Sequence, residues 1–238
     1  HFELSEYKFE NNVGKDFDYV LDEKTGKITE INVNGKNILA SPLEINLFRA
    51  YIDNDRNRNK GLWEDTSIRD SFQMVDSIVK NGNVTTLKGY YGPYAYEPLM
   101  CYQMDITKGD GYLDIDLSYR TKLHVVFLPR VGLKFALNKQ NTVRYLGHGD
   151  GESYIDKHNY TVKDVFEFNP DENLCPYIKP QEYGSHYLTD YVKFNNVEVY
   201  GKKPFSFSAT PYSQLELFRA QHDFELNKDG LTYVTIDA

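Results

Sequence analysis

Tyr112-Leu-Asp-Ile-Asp-Leu-Ser-Tyr119 alternates apolar and polar residues in step with a pleated strand. Leu113, Ile115, Leu117 and Tyr119 share one face and Tyr112, Asp114, Asp116 and Ser118 the other. That pattern predicts a strand with one buried and one wet side. Asp110-Gly111, just before it, is a hairpin signal, because both residues tolerate positive φ. The signal recurs at Asn34-Gly35 and Asn81-Gly82. Upstream, Phe17, Tyr19 and Leu21 alternate, Asp22 to Gly26 turns the chain, and Ile28, Ile31 and Val33 return it. Downstream, Leu123-His-Val-Val-Phe-Leu128 reads as a buried strand. Val192-Lys-Phe and Val197-Glu-Val-Tyr200 flank a turn, and Phe205, Phe207 and Ala209 resume the alternation.

Helical signals are few. Thr210 as cap, Pro211 at the first helical position and the helix-tolerant run Ser213 to His222 predict one helix. A second, short one is expected near Trp63 to Phe72. Strands do not alternate with long amphipathic helices, which argues against a Rossmann fold and a (β/α)-barrel. Turn signals spaced roughly 8 to 15 residues apart suit a large antiparallel sandwich. No linker or low-complexity tract divides the sequence, so residues 1–238 read as one domain. The chain opens on His1 rather than Met and stops at Ala238 inside the alternating run Tyr233-Val-Thr-Ile-Asp-Ala, so it is expected to be a piece of a longer protein.

Composition narrows the function. Lys and Arg number 27 against 35 Asp and Glu, for a net charge of −8, and phosphate neutralisation would need the opposite balance, so no nucleic-acid partner is expected. Aromatic residues are 15% of the chain, mostly Tyr, which suits packed strands and also surfaces that meet sugars. Cys101 and Cys175 are too few for a disulfide framework and fit free thiols in a reducing compartment. No signal peptide is visible and no apolar run nears the ~18 residues that span a membrane, so no membrane partner is expected.

Asp53-Asn-Asp-Arg-Asn-Arg-Asn-Lys-Gly-Leu-Trp-Glu64 comes near a calcium loop, but Arg58 stands where the sharp turn wants Gly, and Arg56, Arg58 and Lys60 repel a cation. The segment reads as a polar surface loop or a ligand-facing one, with Asp and Asn for sugar hydroxyls and Trp63 to stack on a sugar face. Gly147-His-Gly-Asp-Gly151 lacks the phosphate-loop pattern, and Asp150 and Glu152 would repel a phosphate. The six His show no zinc spacing. Glycoside hydrolysis needs two carboxylates, and 35 acidic residues single out none.

Six colinear stretches over about residues 40–238 carry a family resemblance. Phe48-Arg-Ala-x-x-Asp-Asn-Asp55 resembles an R-A-P-x-D-N-D signature, and Leu128-Pro-Arg-Val-Gly-Leu133 a P-R-I-G-L strand. Val143 to Lys157 resembles a W-x-G-x-G-P-x-E-N-Y-x-D-R segment, with departures at Asp150 and Ser153. Tyr177-Ile-Lys-Pro-Gln-Glu-Tyr-Gly184 resembles Y-x-x-P-Q-E-x-G. Pro211 to His222 and Thr235-Ile-Asp237 resemble a Y-S-x-x-x-L-x-x-x-x-H helix and a closing strand. These belong to the C-terminal domain, or separate small subunit, of lactose-operon-type β-galactosidases of glycoside hydrolase family two.

The resemblance implies a mainly β, galactose-mutarotase-like antiparallel supersandwich with one or two short helices. It implies a cytoplasmic hydrolase of terminal non-reducing β-D-galactose residues, lactose among them, whose catalytic glutamates and magnesium lie on a barrel domain outside this chain. The implied partners are that remainder of the enzyme, a galactoside, and a second copy if the enzyme is a homo-oligomer. No catalytic residue and no metal ligand is expected here. Arg56 to Lys60, with Arg58, matches a loop beside the substrate entrance, based on Asp53, Asn54 and Asp55. Glu152, Tyr154 and Asp156 match the second motif, and Glu182 the third; Arg49 and Arg130 are the donors for buried carboxylates. The alternatives are an aldose epimerase of the same fold and a stand-alone galactose-binding module.

Overall fold

The computed structural model describes residues 16–58, 60–94, 97–121, 128–195 and 197–237. Of the predicted strand at 123–128, only Leu128 falls among them. In chain order the elements begin with β1 (Phe17–Leu21), β2 (Ile28–Val33), β3 (Lys36–Asn37) and β4 (Leu39–Asn46). The helices α1 (Asp53–Arg58) and α2 (Lys60–Asp65) follow, then a 3-10 turn at Ile68–Asp70. Next come β5 (Phe72–Asn81), β6 (Val84–Gly92), β7 (Met100–Lys108), β8 (Leu113–Thr121), β9 (Gly132–Asn138) and β10 (Val143–Gly149). The chain continues with β11 (Val162–Phe168), β12 (Ser185–Lys193), β13 (Glu198–Thr210), α3 (Gln214–Arg219) and β14 (Leu231–Asp237).

The strands form two antiparallel sheets. The larger runs β1-β2-β4-β9-β14-β13-β12-β10-β11, with β3 paired to β2, and the smaller runs β5-β6-β7-β8. Among the described residues the large sheet therefore ends at β11. The chain is mainly β, as the alternation in the sequence dictates. Ile28, Ile45, Phe135 and Phe207 from the large sheet lie in the same buried cluster as Leu87, Met104 and Ile106 from the small one. On β8, Leu113, Ile115 and Leu117 turn toward that core while Asp116 and Ser118 face water.

The sheets are also joined by a buried amide. Gln73 on β5 is fully buried; its Nε2 donates to the Gly26 carbonyl (2.8 Å), and its Oε1 accepts the Ile45 N–H (3.0 Å). The predicted turns are present, with positive φ at Asn34 (53°), Gly35 (72°), Gly82 (61°) and Gly111 (77°). Pro204, which lacks an N–H, falls where the β12–β13 register breaks, between the pairs Thr189↔Phe205 and Tyr191↔Tyr200.

The helices differ from expectation. The cap of α3 is Ser213, whose hydroxyl accepts the Glu216 N–H (3.2 Å); Thr210 instead closes β13. The second helical region begins upstream of the predicted one, as α1 and α2, which bury Asp55 and Trp63; it overlaps the prediction at Trp63–Asp65 and in the 3-10 turn Ile68–Asp70, and Phe72 already begins β5. Asp53 and Asp55 in the first turn complement the α1 dipole.

His186 on β12 sits in an aromatic nest, 4.3 Å from the Tyr145 ring centroid, 4.9 Å from Phe168 and 5.0 Å from Phe207. It is 1% exposed.

Two measurements probe this packing. A Cβ on Gly89 would lie 2.0 Å from the Met74 carbonyl oxygen, so Gly89→Ala should cost about 3 kcal/mol in urea unfolding. Gly61→Ala in α2, where a Cβ meets open space, should be neutral or stabilising by up to ~1 kcal/mol. Burial depresses the His186 imidazole to about 4, so its neutral ring stabilises the fold above pH 6.5, and that contribution drains as pH falls toward 4. Unfolding free energies at pH 7 and pH 4.5 should differ less in His186→Leu than in the parent, by at most about 3 kcal/mol.

Candidate functional site

The stretch Pro180 to Gly184 is a polar hub where several loops meet at one end of the large sheet. Its first contact is with α1. Asp55 is 2% exposed; its carboxylate accepts from Arg49 Nη2 (3.0 Å) and from the Ile52 N–H (3.0 Å). The Asp53 N–H donates to Gln181 Oε1 (2.9 Å), and the Asp53 carboxylate accepts from Arg56 Nη1 (3.1 Å). Arg56 Nη2 reaches the carbonyls of Tyr51 and Pro180 (both 3.4 Å). Asn54 is exposed beside them. The Arg58 side chain lies outside the described residues.

Trp63 has a different place from the one expected. It is 1% exposed, its ring centroid 5.4 Å from that of Tyr51, with the Arg49 guanidinium over it at 5.8 Å. Tyr51 and Phe48 in turn pack edge-on against Phe218 at 5.2 and 5.7 Å. As the largest apolar group of its segment, the indole fills the space beneath α1 and presents no open face to a sugar.

The second contact of the hub is an ion cluster. Arg130, just before β9, donates through Nη2 to Glu182 (2.5 Å) and faces Asp237 on β14 (3.2 Å). The side chains are 6%, 0% and 17% exposed in that order. Burial pushes the Asp237 carboxyl up to about 6 against the pull of Arg130, and the nearby Glu182 adds to the rise.

The third contact is Glu152. Its Oε2 accepts the Gly184 N–H (3.0 Å) and the Tyr154 hydroxyl (3.2 Å); its Oε1 accepts Lys157 Nζ (2.8 Å) and the Tyr177 hydroxyl (3.4 Å). Burial opposes ionisation, but the Gly184 N–H, Lys157 and Tyr154 together hold the carboxyl below its usual range. Asp156 sits exposed in the two-residue turn between Tyr154 and Lys157. The preceding Gly149–Asp150 peptide is cis.

Arg49, Asp53, Asp55, Arg56, Glu152, Tyr154 and Glu182 thus converge on the hub, while Trp63 supports it from below. Gln181 and Asp237 are the members that residue type alone did not mark. Gln181 stands beside Glu182 in the third motif, and Asp237 closes a strand with no pattern to suggest an arginine partner. Among the described residues no group of three or more His, Cys, Asp and Glu is placed to hold a metal ion. Arg49, Arg130, Lys157 and the Gly184 N–H bind the hub's carboxylates, so the arrangement orders loops and shapes a surface.

Fold and site therefore define a large antiparallel β domain whose polar end is a structural junction. A family model described as the β-galactosidase small chain matches residues 13–238, and the chain belongs to that family. It is 33% identical over 256 residues to the β-galactosidase of Actinobacillus pleuropneumoniae, covering 99% of this chain and 24% of that relative. Identity is 28% to the Streptococcus thermophilus β-galactosidase (94% and 23% covered) and 29% to that of Kluyveromyces lactis (92% and 23%). The chain spans about a quarter of the length of these curated relatives.

Arg130→Gln should cost about 3–5 kcal/mol at pH 7, because it leaves Glu182 and Asp237 buried without their cation. Asp237 contributes its full stability when protonated below pH 3.8 and loses it as pH rises through about 6. The deficit of the variant, read by chemical denaturation across pH, should therefore shrink as pH falls below 6.

Proposed function

We propose that this chain serves as the non-catalytic small-chain part of a β-galactosidase that hydrolyses terminal β-D-galactosides such as lactose. It packs on a catalytic barrel carried by the rest of the enzyme, and the α1 end of the hub shapes the mouth of the active site. The observation that carries this reading is the match to the small chain across 13–238, set against the quarter share of each relative's length. The hub supports it. A retaining glycosidase needs an acid and a nucleophile about 5–5.5 Å apart and open to a sugar. Here Glu182 is wholly buried on Arg130, Asp55 is buried on Arg49, and Glu152 is held by four donors. In this reading the catalytic carboxylates and the magnesium belong to the remainder, and the assembled enzyme works in the cytoplasm.

The test is hydrolysis of a chromogenic β-galactoside by the chain alone and after mixing with the purified remainder of the enzyme. No turnover alone and turnover on mixing is the expected result. Turnover by the chain alone would overturn the non-catalytic assignment.

A further inference from the structure

Ile178, Phe224 and Ile155 are 83%, 80% and 74% exposed, which places them among the most exposed large hydrophobic residues described. One such residue on a surface is ordinary. These three stand on stretches that are tied together. Tyr177 and Lys157 both donate to Glu152, which joins the loop of Ile155 to that of Ile178. Lys179 Nζ donates to the Ala220 carbonyl, which joins Ile178 to the turn bearing Phe224. The Phe224 ring stacks on His222 at 5.2 Å, with the planes 7° apart. The loops are thus anchored before any partner arrives, which lowers the ordering cost of binding.

We propose that the rim carrying Ile155, Ile178 and Phe224 is the surface on which the catalytic remainder of the β-galactosidase seats. This rests on the function proposed above and adds to it the face that docks. Two features of the molecule select that occupant. The relatives carry about three quarters of their length outside the region this chain matches, so a large companion surface exists. The rim is also continuous with the hub, since Lys179 and Ile178 lead directly into Pro180 and Gln181, which hold Arg56 and Asp53 of α1. A domain that shapes an active-site mouth must seat beside it. Exposed Ile and Phe on an ordered frame are apolar anchors suited to pockets on the companion.

The test follows association of the full chain with the purified remainder by sedimentation velocity, with turnover of a chromogenic β-galactoside read in the same mixtures. Ile178→Asp with Phe224→Asp should weaken association by roughly tenfold or more. Val79→Asp, on the small sheet and 60% exposed, should leave it unchanged. Ile178→Ser with Phe224→Ser should weaken it less and in the same direction, and circular dichroism melts of all variants should match the parent. If the parent chain does not associate with the remainder, the proposed function and this surface fall together. If it associates and restores turnover while the aspartate pair binds as well as the parent, the surface alone is wrong. Loss of self-association in that pair, with binding to the remainder intact, would give the rim to a second copy of the chain and overturn the proposal.

Discussion

A single guanidinium holds the polar end of this molecule together. Arg130 touches Glu182 in the hub and Asp237 on β14, and through them it fixes three stretches that the chain order keeps far apart. Coulomb attraction in a poorly solvated setting gives the contact its strength, and the same setting makes it costly to disturb. The local charge sums to one negative when both carboxylates are ionised. Burial drives the upward drift of Asp237, and the neighbouring Glu182 adds to it. Arg49 and Asp55 repeat the device as a one-to-one pair beneath α1.

From those two pairs the arrangement of the hub follows. Glu182 points to Arg130, Gln181 reaches the first residue of α1, and Gly184 supplies its N–H to Glu152. Gly184 has φ of 72°, so the chain can turn there and offer that N–H. Successive residues of one short segment therefore serve different neighbours, and the loops of the sheet end become a rigid collar. Side chains that look catalytic by type use their hydrogen-bonding capacity on this internal order, as the proposed shape-supplying role requires.

The local part of this architecture was legible in the sequence. Alternation on β8 and the Asn-Gly and Asp-Gly turns are properties of a few adjacent residues, and they appear as read, save that Tyr119 at the end of the apolar face is exposed. Sheet order was not legible, because pairings such as Gly132 with Asp237 depend on contacts that no local pattern encodes. The polar run 53–64 read as a loop from composition, yet burial of Trp63 and Asp55 makes it helical, a tertiary override of propensity. The same burial turned Trp63 from a candidate sugar platform into a packing residue. In the site, Arg49 and Asp55 lie close enough along the chain to suggest each other. Asp237 gives no such hint, since its partner is set only when β14 pairs with β9.

Among the described residues the large sheet ends at β11, and that border bears on how this chain meets other molecules. Lys163, Asp164 and Glu167 stand exposed along that strand, and Lys163 is drawn to Asp190 on β12, the strand beyond β10. Charges spaced along a border strand discourage another chain from extending the sheet through its backbone. Under the proposed function, recognition is then left to side chains on the collar of loops. There, shape and anchor residues, which can tell one companion from another, would take over from main-chain hydrogen bonding, which cannot.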